Sequence, residues 1–299
     1  MNRFSSVLIF GLAVASLSCE TVIQTQLDTG PSQLSVDAIL TDQPGPQQIR
    51  LTQTAAYFDN ALPPVASSAT VTVTDNLGKT FRFTDANNDG YYVWTPSATD
   101  TLGRVGRTYT LRIDFQNDTY VAQTKMNRVP PVDSITFQDA KLNPLSTDRG
   151  YRADFYATDF AGAPDQYRVR YYRNGALQNR TNDLVNVYNA SFNNSSDTDG
   201  LLFIQPIRRA ANPENLYRMN DTVKVELLSI TLDSFYFLEE LQTQLNNNGL
   251  FARPATNLPT NIINTNPAGR PATGYFMTSA VRSRTAVVQS ENLRGRADD

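Results

Sequence analysis

Between residues 34 and 126, apolar and polar positions alternate in short runs, the period-two pattern of strands that bury one face. The runs are Leu34 to Leu40, Gln48 to Thr54, Ala69 to Asp75, Lys79 to Thr84, Tyr91 to Trp94, Thr108 to Phe115 and Thr119 to Met126. In the sixth, Tyr109, Leu111, Ile113 and Phe115 share one side, and Thr110, Arg112 and Asp114 share the other. Asp75-Asn76-Leu77-Gly78 and Asn117-Asp118 supply turn residues between neighbouring runs. About seven strands in roughly ninety residues predict a small immunoglobulin-like β-sandwich over residues 33–129, with the strand order left open.

Pro130-Pro131 then removes two ladder donors in succession and marks a domain boundary. Residues 130–290 are expected to form a second β-rich domain. Its strands are Ser134 to Phe137, Tyr151 to Ala157, Tyr167 to Arg173, Leu201 to Gln205, Val223 to Leu232 and a returning stretch from Tyr275 to Val288. Asn174-Gly175 suits a type I′ turn, because both positions tolerate positive φ. One amphipathic helix is expected over 234–246, capped by Asp233 or Ser234 and ended by Gly249, with Phe235, Leu238, Leu241 and Leu245 as its buried stripe. Residues 251–274 hold four prolines and many asparagines and read as an ordered loop, whereas 291–299 read as a frayed tail. The fold class is therefore mainly β, a sandwich followed by a β-rich domain with one helix.

The N-terminus carries a different signal. Arg3 precedes an apolar run from Val7 to Leu17, far short of the ~20 residues a membrane-spanning helix needs. Residues 1–18 read as a secretory signal peptide ending at the small residue Ser18. Cleavage there leaves Cys19 as a new N-terminus able to carry acyl chains on its sulfur and its amine. Such chains hold a protein on a membrane without a spanning helix. Residues 19–32 lack helical periodicity, end in Gly30-Pro31 and form the lipidated tether. The expected location is the cell envelope, with membrane lipid as the first partner through Cys19.

Composition narrows the chemistry. The sequence has no histidine and one cysteine, which removes imidazole or thiolate metal sites, His-dependent triads, Cys nucleophiles and disulfides. A formal charge of −3 with dispersed arginines argues against nucleic acid as a partner. Six glutamates and four lysines leave little for a carboxylate or Ser/Lys mechanism. The expectation is a protein that is not an enzyme and uses no cofactor.

Several segments invite a functional reading. Asp85, Asn87 and Asp89, followed by Gly90, copy the first half of a calcium loop, but Pro96 stands where the closing glutamate belongs. A hairpin turn is the expected role there, and Asp197-Thr198-Asp199-Gly200 is read in the same way. Glu239 and Glu240 are adjacent on the helix and project in different directions, unlike the paired acids of a glycosidase. Glu226 is expected to pair with Lys224 on one face of its strand. The best binding candidates are the face of Arg168, Arg170 and Tyr172, together with Arg173, and Trp94 in the Tyr91-Tyr92-Val93-Trp94 run. Tyr167, Val169 and Tyr171 occupy the opposite face of the same strand.

A wider pattern links these segments. It includes Leu34-Ser35-Val36-Asp37-Ala38, Ala69 to Asp75, Gly78, Gly90-Tyr91-Tyr92, Gly106 to Leu111 and Val129 to Ile135. It continues in Tyr167 to Gly175, the helix Phe235 to Gln244, Phe251, Pro254 to Ile262 and Gly274-Tyr275-Phe276, with Ala272-Thr273 where Ala-Leu is more frequent. On these residues the chain resembles an uncharacterised family of Bacteroidetes outer-membrane lipoproteins, known only as a domain of unknown function, over residues 33–288. Members are typically encoded beside TonB-dependent receptors, so the resemblance implies an accessory to a β-barrel receptor in nutrient uptake. It implies no catalytic residues. The triplets Asp100-Thr101-Leu102, Asp133-Ser134-Ile135 and Asp221-Thr222-Val223 also look like the periplasmic O-glycosylation signal of these bacteria.

Three functions stay open from sequence: substrate capture for a receptor, a structural envelope role without a small ligand, and a carboxylate-dependent hydrolase. A groove lined by Tyr171, Tyr172, Arg173 or Trp94 would favour capture, and a flat apolar patch would favour docking alone.

Overall fold

All seven N-terminal runs form strands: β1 (Leu34–Thr41), β2 (Gln47–Gln53), β3 (Thr70–Asp75), β4 (Thr80–Phe83), β5 (Tyr91–Trp94), β6 (Thr108–Phe115) and β7 (Asp118–Lys125). The protein is seen in a computed structural model that describes residues 30–55, 61–97, 100–191, 198–247 and 256–294. The signal segment, Cys19, Gly249, Phe251 and Pro254 lie outside the described residues. The second half adds β8 (Ser134–Lys141), β9 (Arg149–Tyr156), β10 (Gln166–Arg173), β11 (Ala176–Gln178), β12 (Val185–Tyr188) and β13 (Thr222–Ile230). Helix α1 (Leu232–Leu245) follows, and then β14 (Ile263–Asn264), β15 (Ala272–Ser279) and β16 (Val281–Val287). The described residues within Ser32–Thr54 and Leu62–Asp299 form one compact unit.

The strands make four sheets. The first has the order β15-β1-β2-β5, the second β14-β7-β6-β3-β4, and the third β11-β10-β13-β16 with β12 also on β10. β8 and β9 form a separate pair. Alternation along β1, β3 and β6 puts Val36, Ala38, Val73 and Leu111 into one buried cluster that runs on through Phe137, Phe155, Tyr171 and Leu227 of the second half. The turns follow their residues: Gly78 has φ 86°, and Asn174 and Gly175 have φ 51° and 81°.

The two halves share a sheet. β15 runs parallel to β1 over its full length, from Leu34 opposite Ala272 to Thr41 opposite Ser279, so the first sheet draws strands from both sides of the 129/130 junction. One residue later the chain enters β16 in the third sheet. Ser229 pins this corner, its backbone N–H donating to the Ala280 carbonyl and its hydroxyl oxygen accepting the Ala280 N–H, each at 2.9 Å. The returning stretch expected as one run is thus two strands in two sheets.

Other expectations change. Leu201 to Gln205 is not a strand; it holds only a bridge from Leu202 to Thr158. Phe203 alone is buried there, against Phe155 and Tyr167, and one anchor does not make a buried face. The helix begins two residues early because β13 stops at Ile230, which leaves Thr231 extended (φ −84°, ψ 162°) with its Oγ1 accepting the Ser234 N–H. Its buried face is Ser234, Phe235, Phe237 and Leu238, whereas Leu245 is 50% exposed. Phe237 is inward because it stacks on Tyr275 of β15, with ring centroids 4.4 Å apart. The tail is docked as far as residue 294, where the Arg294 N–H donates to the Phe137 carbonyl at 2.8 Å.

Candidate functional site

β10 divides its side chains as the alternation implies, but the register with its neighbours gives each a separate task. Tyr167 and Tyr171 point inward, their hydroxyls donating to Asp159 Oδ1 (2.5 Å) and Asp183 Oδ1 (2.6 Å). Burial first, and then its carboxylate partner, pushes each tyrosine well above the ordinary phenol range. On the other face Glu226 of β13 gathers three partners: Arg170 (2.9 Å), Lys224 (2.6 Å) and the Tyr172 hydroxyl (3.2 Å). Burial works to raise the Glu226 carboxyl, yet these partners together outweigh it and hold the group below its usual value. Arg173 pairs with Asp221 at 2.6 Å and lies over the Tyr217 ring. Trp94 sits on the far edge of the first sheet and packs edge-on against Phe81. Four of the five residues offered as a contact surface are therefore engaged in packing or pairing, and Trp94 lies on a different sheet from the other three.

The fifth, Arg168, lines a groove. Its floor is the outer face of the first sheet, where Ser35, Asp37 and Ile39 of β1 stand beside Thr273, Tyr275 and Met277 of β15. One wall is α1, which contributes Phe237, Leu238 and Leu241; the other is the segment 256–260, including Leu258. The cavity is about 810 Å³, within the ~300–1,000 Å³ usual for small-molecule sites. Its apolar lining belongs to a second buried cluster of Phe237, Leu238, Tyr275 and Met277, with Ile39, Leu241 and Leu258 packed against it.

The groove wall explains two of the sequence blocks. The Asn261 side chain donates to the Phe276 carbonyl at 2.8 Å, and its oxygen accepts the Phe276 N–H at 2.9 Å. One amide thus satisfies both backbone groups of Phe276 on the side of β15 away from β1. Thr260 adds a bond from its hydroxyl to the Gly274 carbonyl at 2.7 Å. Gly274 has φ 88°, and a Cβ there would stand 2.0 Å from the Val36 carbonyl oxygen. The Asn-Ile and Gly-Tyr-Phe blocks are one structural device that joins loop, β15 and β1.

The calcium-like segment is a turn. Asp85 accepts the N–H groups of Asp89 (3.2 Å) and Gly90 (3.0 Å), and Asp89 accepts that of Tyr91 (3.0 Å). Asp199 accepts the Gly162 N–H, from a loop distant in sequence, at 2.7 Å, and Asp197 lies outside the described residues. Among the described residues no group of three or more His, Cys, Asp or Glu is placed to hold a metal ion. Glu239 accepts from Asn186, and Glu240 from Gln244 and Thr256, so the helix acids serve the fold. Among the described residues no helix is long and apolar enough to cross a membrane.

Sequence reasoning missed Asp37, Phe237, Leu241, Tyr275 and Met277 as parts of a site. The available signal was Ile39, an apolar residue on the outward face of β1, together with the Gly274-Tyr275-Phe276 block.

Among the described residues, fold and site define a mainly β protein with one α-helix, whose N-terminal and C-terminal strands share a sheet and frame a groove with a single cation in its lining. The chain belongs to the family described as "Domain of unknown function (DUF4249)", which matches residues 20–285. No curated protein matches the sequence.

Proposed function

We propose that the protein is a lipid-anchored, non-enzymatic component of the outer membrane that captures a small ligand in the groove and serves a TonB-dependent β-barrel receptor. The observation that carries the reading is the groove itself, an apolar cleft of about 810 Å³ with Arg168 in its lining. A cleft of this kind suits ligand capture better than a purely structural role. The anchor is supported by the signal-like N-terminus ending at Cys19 and by a family match that starts one residue later. The tether of residues 19–32 gives the folded unit reach above the membrane. The immunoglobulin-like description of the first half belongs to this reading too, supported by the seven alternating strands in two sheets with a common core.

Affinity purification of the full chain from native outer membranes in gentle detergent tests the partner. A TonB-dependent receptor is expected in near-stoichiometric yield, and recovery of the lipoprotein alone would refute the accessory role. The anchor is tested separately: Cys19→Ala should abolish palmitate labelling and release the protein from the membrane fraction.

A further inference from the structure

Among the described residues Arg168 is the only cationic side chain lining the groove. Among the described residues it forms no ion pair or hydrogen bond, in contrast to Arg170 and Arg173 on the same strand. The reason lies in the register. Arg170 stands opposite Glu226, but Arg168 stands opposite Leu228 on β13 and Asn186 on β12. The Asn186 amide nitrogen donates to Glu239 at 2.8 Å, and its buried oxygen takes no hydrogen bond from Arg168. Burial presses the guanidinium down to about 10, with Arg170 adding to the effect and Asp37 opposing it. Half-buried positive charge without a counter-ion is unusual, because desolvation is normally offset by a partner.

Asp37 is the other charged residue in the lining, and it is exposed. It faces Arg50 across the β1–β2 pair, and the Arg50 guanidinium lies over the Tyr91 ring. Among the described residues Asp37 makes no ion pair with Arg168, and its carboxylate is exposed to solvent, so the guanidinium has no direct counter-ion. A neutral ligand would keep Arg168 uncompensated, and a cation would be repelled by it. A ligand with several negative charges would meet Asp37. A single carboxylate matches the planar donor fork of arginine.

We propose that the groove binds a small monocarboxylate with an apolar body, its carboxylate on Arg168 and its body against Phe237, Leu241, Leu258, Tyr275 and Met277. This names the ligand class of the capture site and rests on that reading.

Calorimetric titration of the full chain in lipid nanodiscs, with empty nanodiscs as blank, tests the proposal using 4-phenylbutyrate and its neutral amide. The carboxylate should bind about tenfold or more tightly than the amide, the scale of a charge-assisted pair. Arg168→Gln should remove that preference, and Arg168→Lys should retain part of it. Asp37→Asn, at an exposed position of β1, should strengthen 4-phenylbutyrate binding a few-fold. Circular dichroism and the urea midpoint verify that each variant is folded. Equal affinity for acid and amide overturns the carboxylate class but leaves a groove that captures apolar ligands, and a preference that survives Arg168→Gln overturns the placement of the carboxylate on Arg168. Binding of neither probe overturns both the class and the capture site. Carboxylate binding with no receptor in the pull-down supports the class and refutes only the receptor role.

Discussion

Asn261→Ala should destabilise the protein well beyond the effect of an ordinary loop substitution. The amide makes two bonds to one backbone residue, at 2.8 and 2.9 Å, and Phe276 is fully buried. Each neutral bond is worth about 1 kcal/mol net, and a backbone group left without a partner away from water costs a further ~1 kcal/mol or more. The sum for two bonds, with partial rehydration, is about 3 kcal/mol. Thr260 keeps its own bond to Gly274, so the loop stays partly attached and the loss is confined to Phe276. Urea unfolding of the full chain in mild detergent should show a lower midpoint at unchanged slope. Hydrogen exchange should show the Phe276 amide losing protection before the rest of β15. Asn261→Asp keeps the acceptor but turns a carboxylate oxygen toward the Phe276 carbonyl, and should fare no better at neutral pH. A loss under about 0.5 kcal/mol, the scale of an uninvolved surface site, with Phe276 protection intact, would refute the edge-pairing argument.

Gly274→Ala should cost more than about 3 kcal/mol, since positive φ adds strain to a Cβ that collides with the Val36 carbonyl; a melting temperature equal to the parent's would contradict it. Thr231→Ala should cost about 1 kcal/mol through loss of the helix cap, read from the urea midpoint, and no change would show that β13 alone sets the start of the helix. Asp75 supplies a pH test. Burial works to raise its carboxyl, but the N–H groups of Lys79 and Leu77 and the charge of Arg107 outweigh this and hold it below 3.8. A group with a depressed folded value stabilises fully above its unfolded value and loses that stabilisation as pH falls through the folded one. Asp75→Asn should therefore be less stable than the parent at pH 7, and the gap should narrow below 3.8; a gap independent of pH would refute the linkage.

Local chemistry made much of the fold legible. Side-chain alternation is set by the backbone pleat, so β1 to β7 could be placed from apolar positions alone. Asn174-Gly175 and Gly78 marked turns because few residues accept positive φ. The helix was visible through its periodicity, but not its first residue or its buried side. Those depended on where β13 ended and on Tyr275 arriving from β15 to stack on Phe237. Leu201 to Gln205 was misread because strand-like composition without a partner strand leaves only Phe203 to bury.

The site shows the same division. Sequence alone determined that β10 carries a row of arginine and tyrosine on its outward face, and that the chain has few groups for catalysis. It could not tell Arg168 from Arg170, which sit two residues apart in the same pattern. The pairing of β10 with β13 decided that, by placing Glu226 opposite one and Leu228 opposite the other. The parallel return of β15 onto β1 then built a floor beneath Arg168 from residues more than two hundred positions apart. Alternation is a property of each residue and its neighbours, whereas register and strand order are set by which faces of distant segments bury each other.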